Sequence, residues 1–281
     1  MKTFKQFTEY DSNTIMIVDA LNLAFRWKHS KTRDFAEDYL VTVNSLRKSY
    51  KAEKVIITCD QGSSSYRKNI FPDYKSGRKE KFAEQTESER LEFERFFTDF
   101  NTTLDLIKSD STYPIFKFQG VEADDIVAYI TSRYKPKYKI WMISSDKDYD
   151  TLIDTNVSRF SYVTRKETTK DNWNEHYDYD LDKHISIKCL TGDLGDSIPG
   201  VDGIGPKRAQ SLIEEYGDCY DVIASMPIPG KYKYIKSLND FGKENLLRNY
   251  KLMDLVSYCE EAIGEENCKE IDKVLKEYLN V

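Results

Sequence analysis

Short apolar runs rich in β-branched residues recur at 15–18, 55–58 and 140–143, each bounded by polar positions. Runs of that length and composition read as strands buried on both faces. Between and around them, apolar residues fall at three- and four-residue steps over 36–48, 88–107 and 121–134, the period of a helix with one buried side. In 88–107 that side comprises Leu91, Phe93, Phe96, Phe97, Phe100, Leu104 and Ile107. Alternating strands and helices predict an α/β fold, with a mostly parallel central sheet flanked by helices. After about residue 180 the strand runs stop. Helical patterns over 181–191, 206–216, 218–225 and 243–257, joined by short turns, predict a helical second region. The expected division is 1–180 and 181–281. The stretch 254–281 carries eight acids and three lysines and reads as a solvated helical face.

Composition narrows the class. Of 281 residues, 40% are hydrophobic and 32% charged, and glycine and proline are sparse, which excludes collagen-like and most low-complexity chains. The five cysteines (Cys59, Cys189, Cys219, Cys259 and Cys268) include no C-x-x-C pair, so neither a disulfide framework nor a zinc ribbon is expected, and a reducing cytoplasm fits best. The start, MKTFKQFTEYDSN, is polar, and no apolar run reaches the roughly 18 residues of a membrane span. Three histidines match no zinc-hydrolase spacing, so carboxylates must hold any metal.

The carboxylates are suggestively placed. In an open α/β sheet the ligand site lies beyond the carboxyl ends of the strands. The first run ends in Asp19, the second is followed by Asp60, and the third by Asp146 and Asp148. Gly-Val-Glu-Ala-Asp-Asp opens a helix and puts Glu122 and Asp125 on one face with Asp124 beside them. Singly, each reads as a turn former or helix cap. A parallel sheet brings all of them to one edge, where so many like charges need cations. Hard oxygen donors select magnesium or manganese, and the cluster is large enough for two ions, an arrangement suited to phosphodiester hydrolysis.

Residues 191–209, TGDLGDSIPGVDGIGPKRA, add Asp193 and Asp196 to that edge. Gly200, Gly203 and Gly205 then allow a tight backbone with exposed amides, and Pro206, Lys207 and Arg208 open a helix. This is a phosphate cradle that grips a backbone without reading bases. Two segments, 66–82 and 228–251, each carry a local charge of +4 with interleaved aromatics, among them Tyr74 beside Lys75 and Arg78 in the first and Lys231 in the second. Both are expected to contact nucleic acid, with Arg26, Lys28 and His29 adding to the same surface.

Taken together, IVDALNLAFRWKH, TCDQG, FPDYKSGR, GVEADD, ISSDKDYDTL, GDLGDSIPGVDGIGPKRA and PIPGKYKYI resemble, in content and order, the 5′-nuclease (flap endonuclease) superfamily, closest to the free-standing enzymes of T-odd coliphage type. The resemblance spans roughly residues 12–260. It implies magnesium-dependent cleavage of DNA at 5′ flaps, nicks and 5′ ends, by a monomer that meets branched or nicked duplex in an infected bacterial cell. It implies two ions, one held by Asp19, Asp60, Glu122, Asp124 and Asp125, the other by Asp146, Asp148, Asp193 and Asp196. Lys75 and Arg78 correspond to cations of a helical arch, at about 71–103, that steady the scissile phosphate. Residues 200–209 correspond to a helix-three-turn-helix that holds duplex, often with a potassium ion. One departure is the glycine of FPDYKSGR, which falls two residues after Lys75 rather than directly after it and bears on where the arch helix starts.

Other readings lead elsewhere. A PIN-type ribonuclease shares the sheet and its acids but not the second region. A non-catalytic DNA-binding accessory module has no use for nine acids. A D-x-D phosphatase carries its pair after the first strand, where this chain has Asp19 alone. The formal charge of −6 does not oppose a DNA partner, because removing the nine proposed ligands leaves +3.

Overall fold

The computed structural model describes residues 10–280, the side chains at 79–81 excepted, so most of the polar N-terminal stretch lies outside the described residues. Six strands form one sheet in the order β3-β2-β1-β4-β5-β6. These are β1 (Asp11–Asp19), β2 (Ala52–Thr58), β3 (Ile115–Phe116), β4 (Lys139–Ile143), β5 (Val157–Ser161) and β6 (Lys166–Thr168). The first five are mutually parallel and only β6 runs antiparallel. The three strands read from sequence are the central ones. Ile15 and Ile17 face one side and Met16 and Val18 the other, and all four are buried, so β1 reads as an unbroken apolar run.

Two helical layers cover the sheet. On one side lie α1 (Ala20–His29), α2 (Ala36–Ser49) and the second half of α5 (Glu87–Asp110). On the other lie α6 (Ala123–Tyr134), α11 (Leu255–Ile263) and α12 (Glu265–Tyr278). The expectation that 254–281 is simply a solvated face is therefore corrected. Leu255, Cys259 and Ile263 in α11, and Cys268, Ile271 and Leu275 in α12, are buried against α6 and the sheet. The acids occupy the opposite sides, and their number masks the helical period. Each fully buried apolar side chain contributes about 1.5–3 kcal/mol, so this docking is substantial.

A third core gathers α7 (His184–Thr191), α8 (Pro206–Tyr216), α9 (Cys219–Ser225) and α10 (Lys233–Met253). α10 begins ten residues before the predicted 243–257 helix and bends at Gly242 (φ 81°), so the glycine marks a kink rather than a boundary. A two-stranded hairpin, β7 (Gly192–Asp193) with β8 (Ile198–Pro199), joins α7 to α8. Between β2 and β3 come α3 (Ser65–Ile70), α4 (Ser76–Ala83) and α5. α5 is almost wholly exposed up to Arg95 and acquires a buried side only from Phe96 onward. Leu91, assigned by period to the apolar side, is accordingly 45% exposed, although Phe93 in the same stretch meets the Phe82 ring and Lys28. α4 starts directly after Lys75, which itself takes the left-handed conformation (φ 56°), and the displaced Gly77 lies inside the helix. Among the described residues no helix is long and apolar enough to cross a membrane.

Candidate functional site

The strand order reverses at β1, which has β2 on one side and β4 on the other. The crevice at such a reversal is where an open α/β sheet binds ligands. Asp19 ends β1 and caps α1, accepting from the Asn22 amide at 3.1 Å. The Ser144 and Tyr149 hydroxyls donate to its other oxygen at 3.1 and 3.0 Å. Asp60, just beyond β2, accepts from the Ala123 amide at 2.6 Å, which ties the β2 end to the start of α6. Asp146 caps the 3-10 turn Lys147–Leu152 and accepts from the Asp148 amide at 3.0 Å. None of the three has a cation within 4 Å among the described residues. Burial, and then neighbouring Asp60, push the Asp19 carboxyl up to about 7. Burial and Asp148 push Asp146 up to about 6, and burial raises Asp60 as well. These are acids short of positive charge.

The remaining acids are already paired, in part by residues that sequence reasoning missed. Glu122, Asp124 and Asp125 place one carboxylate oxygen each within 4.8 Å of one another, a group able to hold a metal ion. Arg67 of α3, 3% exposed, lies among them. It binds Asp125 through two bonds of 2.7 and 2.8 Å, reaches Glu122 at 3.1 Å and lies 3.9 Å from Asp124. Its Nε donates to the Leu252 carbonyl at 3.0 Å, which anchors α3 to the end of α10. Burial opposes ionisation of Glu122, but Lys75 and Arg67 outweigh it and hold its carboxyl below the usual range. Asp124, half-buried and without so close a partner, is raised well above it by its desolvation.

Lys75 donates to Glu122 at 2.7 Å and lies 3.6 Å from Asp196, while Arg78 donates to Asp196 at 2.8 Å. Lys75 thus bridges Glu122 and Asp196, while Arg78 meets Asp196. Tyr74, expected at a nucleic-acid surface, is instead 1% exposed, and its hydroxyl donates toward Glu122 at 2.8 Å and Asp196 at 3.0 Å. On α7, Lys188 bonds Asp148 and lies 3.6 Å from Asp193. Arg67 and Lys188 left little trace in sequence. The first sits in a basic run that reads as surface; the second is a lone cation within the apolar stretch HISIKCL, which was a usable signal.

The β7–β8 hairpin delivers Asp193 and Asp196 to this cleft. Gly200 is required there, since a Cβ would stand 2.0 Å from the Thr191 carbonyl oxygen. The buried Asn249 amide bonds the Cys189 and Pro199 carbonyls at 3.0 and 2.8 Å and locks the hairpin to α10. In the following turn Gly203 has φ 77°, while Gly205 is in ordinary extended backbone as the cap of α8. Lys207 and Lys231 are exposed. Arg208 folds back onto the Gly203 carbonyl and over the Tyr234 ring, so its first role is to brace the turn. At the other side, Arg26 lies over Trp27 and Tyr162, and Lys28 over Phe25 and Phe93, with burial lowering the Lys28 ammonium.

Known proteins share this sequence pattern and fold. Residues 14–178 match the family model of the 5′-3′ exonuclease N-terminal resolvase-like domain, and 180–273 that of the 5′-3′ exonuclease C-terminal SAM fold. The chain is 43% identical over 270 residues to a flap endonuclease of Escherichia phage T5, covering 95% of this chain and 92% of that protein. It is 30% identical over 256 residues to the flap endonuclease Xni of Shewanella sediminis, covering 86% of this chain and 92% of that one. Among solved structures, a bacteriophage T5 flap endonuclease in a pseudo-enzyme-product complex with DNA and metal ions superposes with a TM-score of 0.90 at 42% identity, over 95% of this chain and all of that one. The T5 5′-exonuclease with zinc bound gives 0.89 at 43% identity, over 95% and 99% of the two chains. The Rad2 catalytic core shares the fold alone, at 0.52 and 13% identity, over 96% and 93% of the two chains. With both family models matched and a close relative aligned over nearly its full length, this chain belongs to the 5′-3′ exonuclease family.

Proposed function

We propose that this protein is a magnesium-dependent, structure-selective 5′ nuclease that hydrolyses DNA phosphodiester bonds at 5′ flaps, nicks and 5′ ends. The observation carrying this is the gathering of carboxylates at the strand-order reversal, where Asp19, Asp60 and Asp146 have no cationic partner among the described residues. The donor set is oxygen only, which fits magnesium or manganese. Asp19, Asp60, Glu122, Asp124 and Asp125 would hold one ion, and Asp146, Asp148, Asp193 and Asp196 a second. When bound, such ions supply Lewis acidity and a nucleophile at neutral pH.

The protein's own groups do the positioning. Lys75 and Arg78, between the two groups of acids, are placed to meet the non-bridging oxygens of the scissile phosphate and to offset charge that develops on them. The amides around Gly203, with Lys207 and Lys231, hold duplex phosphates and fix how far from the junction the cut falls. A potassium ion at that hairpin and a monomeric enzyme complete the reading. The helical second region, which a PIN-type ribonuclease lacks, favours branched DNA over single-stranded RNA. The test is a 5′-flap cleavage assay in magnesium with wild type and Asp146→Ala. Loss of cleavage by about a hundredfold or more is expected, and equal cutting would sink the assignment.

A further inference from the structure

Resting on the metal-dependent reading above, we propose that Lys188 is a built-in counter-ion that competes with a divalent ion for Asp148 and Asp193. The second ion therefore binds more weakly than the first. The carboxylates fall into two classes. Asp19 and Asp60 of the first group and Asp146 of the second have no cation within 4 Å among the described residues, so an incoming ion displaces nothing there, whereas Arg67 holds Asp125, Arg67 and Lys75 hold Glu122, and Lys75 and Arg78 hold Asp196. Asp148 and Asp193 share the Lys188 ammonium, bonded to the first and 3.6 Å from the second.

Two features make this competition real. The Lys188 side chain is only 16% exposed, held at the cleft because Ile187, Cys189 and Leu190 fix α7 in the third core. With the ammonium in place, about 10 Å³ remains free between Arg67, Tyr74, Asp148, Lys188, Asp193 and Asp196. That is room for about one water, whereas magnesium keeps several waters of its own. The ammonium has to leave before an ion enters. Lysine can do so, being a point charge on a four-carbon stem. Arg67 cannot, being fastened to the Leu252 carbonyl and to Asp125 by two bonds.

The experiment is manganese binding to the full-length protein at fixed ionic strength, counting free ion by electron paramagnetic resonance, for wild type, Lys188→Met and Lys188→Arg. Wild type is expected to show a tight and a weak class. In Lys188→Met the weak class tightens roughly tenfold or more while the tight class moves less than about threefold. Lys188→Arg, which keeps the charge, stays weak. The rise in unfolding temperature on adding manganese is expected to be larger for Lys188→Met than for wild type. Should that variant not fold, Lys188→Gln takes its place. Two equal sites in wild type, or a weak class unchanged or weaker in the neutral variants, would overturn the proposal. No manganese binding by wild type would instead overturn the metal-dependent reading itself.

Discussion

Arg67→Met is the sharpest test of how the acidic site is held together. The substitution roughly keeps the volume and removes the cation that Asp125 meets at 2.7 and 2.8 Å and Glu122 at 3.1 Å. Both Arg67 and Asp125 are almost fully buried, at 3% and 1% exposure, so water cannot replace the lost partner. Breaking a buried pair by removing one member costs about 3–5 kcal/mol, and the lost bond to the Leu252 carbonyl adds to it. Urea unfolding in a chelator at pH 7.5 should show a loss of that size. The double variant Arg67→Met/Asp125→Leu should recover at least half of it, because it leaves no orphaned charge at position 125. The loss should also shrink as pH falls. Burial already raises the Asp125 carboxyl despite Arg67, so without the arginine the folded protein takes up a proton there more readily than the unfolded chain. One such proton changes relative stability by about 1.4 kcal/mol per pH unit. A loss below about 1 kcal/mol, or one constant from pH 8 to 5, would refute the reasoning.

Two further outcomes follow from the same geometry. Asp19 and Asp146 have folded pKa values of about 7 and about 6, above those of an unfolded aspartate, so the folded state holds extra protons between. Metal-free stability should therefore fall as pH rises from 5 to 7, and saturating magnesium should flatten or reverse the trend; flat or rising stability in a chelator would count against the assignment. Lys207→Ala should weaken binding to duplexes of any sequence and lower the slope of log affinity against log salt by about 0.9 in a fluorescence-anisotropy titration, whereas an unchanged slope would remove Lys207 from the phosphate contacts.

The parts of the fold legible in sequence are those where burial imposes a simple pattern. The central runs of β1, β2 and β4, residues 15–18, 55–57 and 140–143, are covered on both faces and apolar without interruption, and a site acid follows each. β5 is just as buried but carries Arg159, which bonds Asp150 at 2.6 and 2.9 Å, and a charged residue inside VSRFS hides the strand. β3, with two residues, is too short to have a period. α12 disguises a regular apolar stripe beneath its acids. Among side chains, the acids were legible because a carboxylate beyond a parallel strand has one place to point. Cations and aromatics were not, since a flexible basic residue serves equally in solvent or in a cleft. Tyr74 and Arg67 turned inward where composition placed them outside, while Arg208 stays exposed and leans on the Gly203 carbonyl.

Charge balance ties these observations together. Among the described residues nine carboxylates meet four cations, Arg67, Lys75, Arg78 and Lys188, and with every group ionised the cleft holds five negative charges in excess. The cleft does not tolerate such an excess, so part of it is taken up as protons, and the acids raised toward accepting them include the cation-free Asp19 and Asp146 and also Asp124 beside Arg67. Two divalent ions would supply four positive charges and bring the excess to one, or to two once the Lys188 ammonium withdraws. That nearly closed balance is independent of any motif, and it follows only because the structure places Arg67 and Lys188 among the acids. With these two cations left on the surface, two ions would fall three charges short, and the cleft would favour a larger complement of metal or fewer ionised acids.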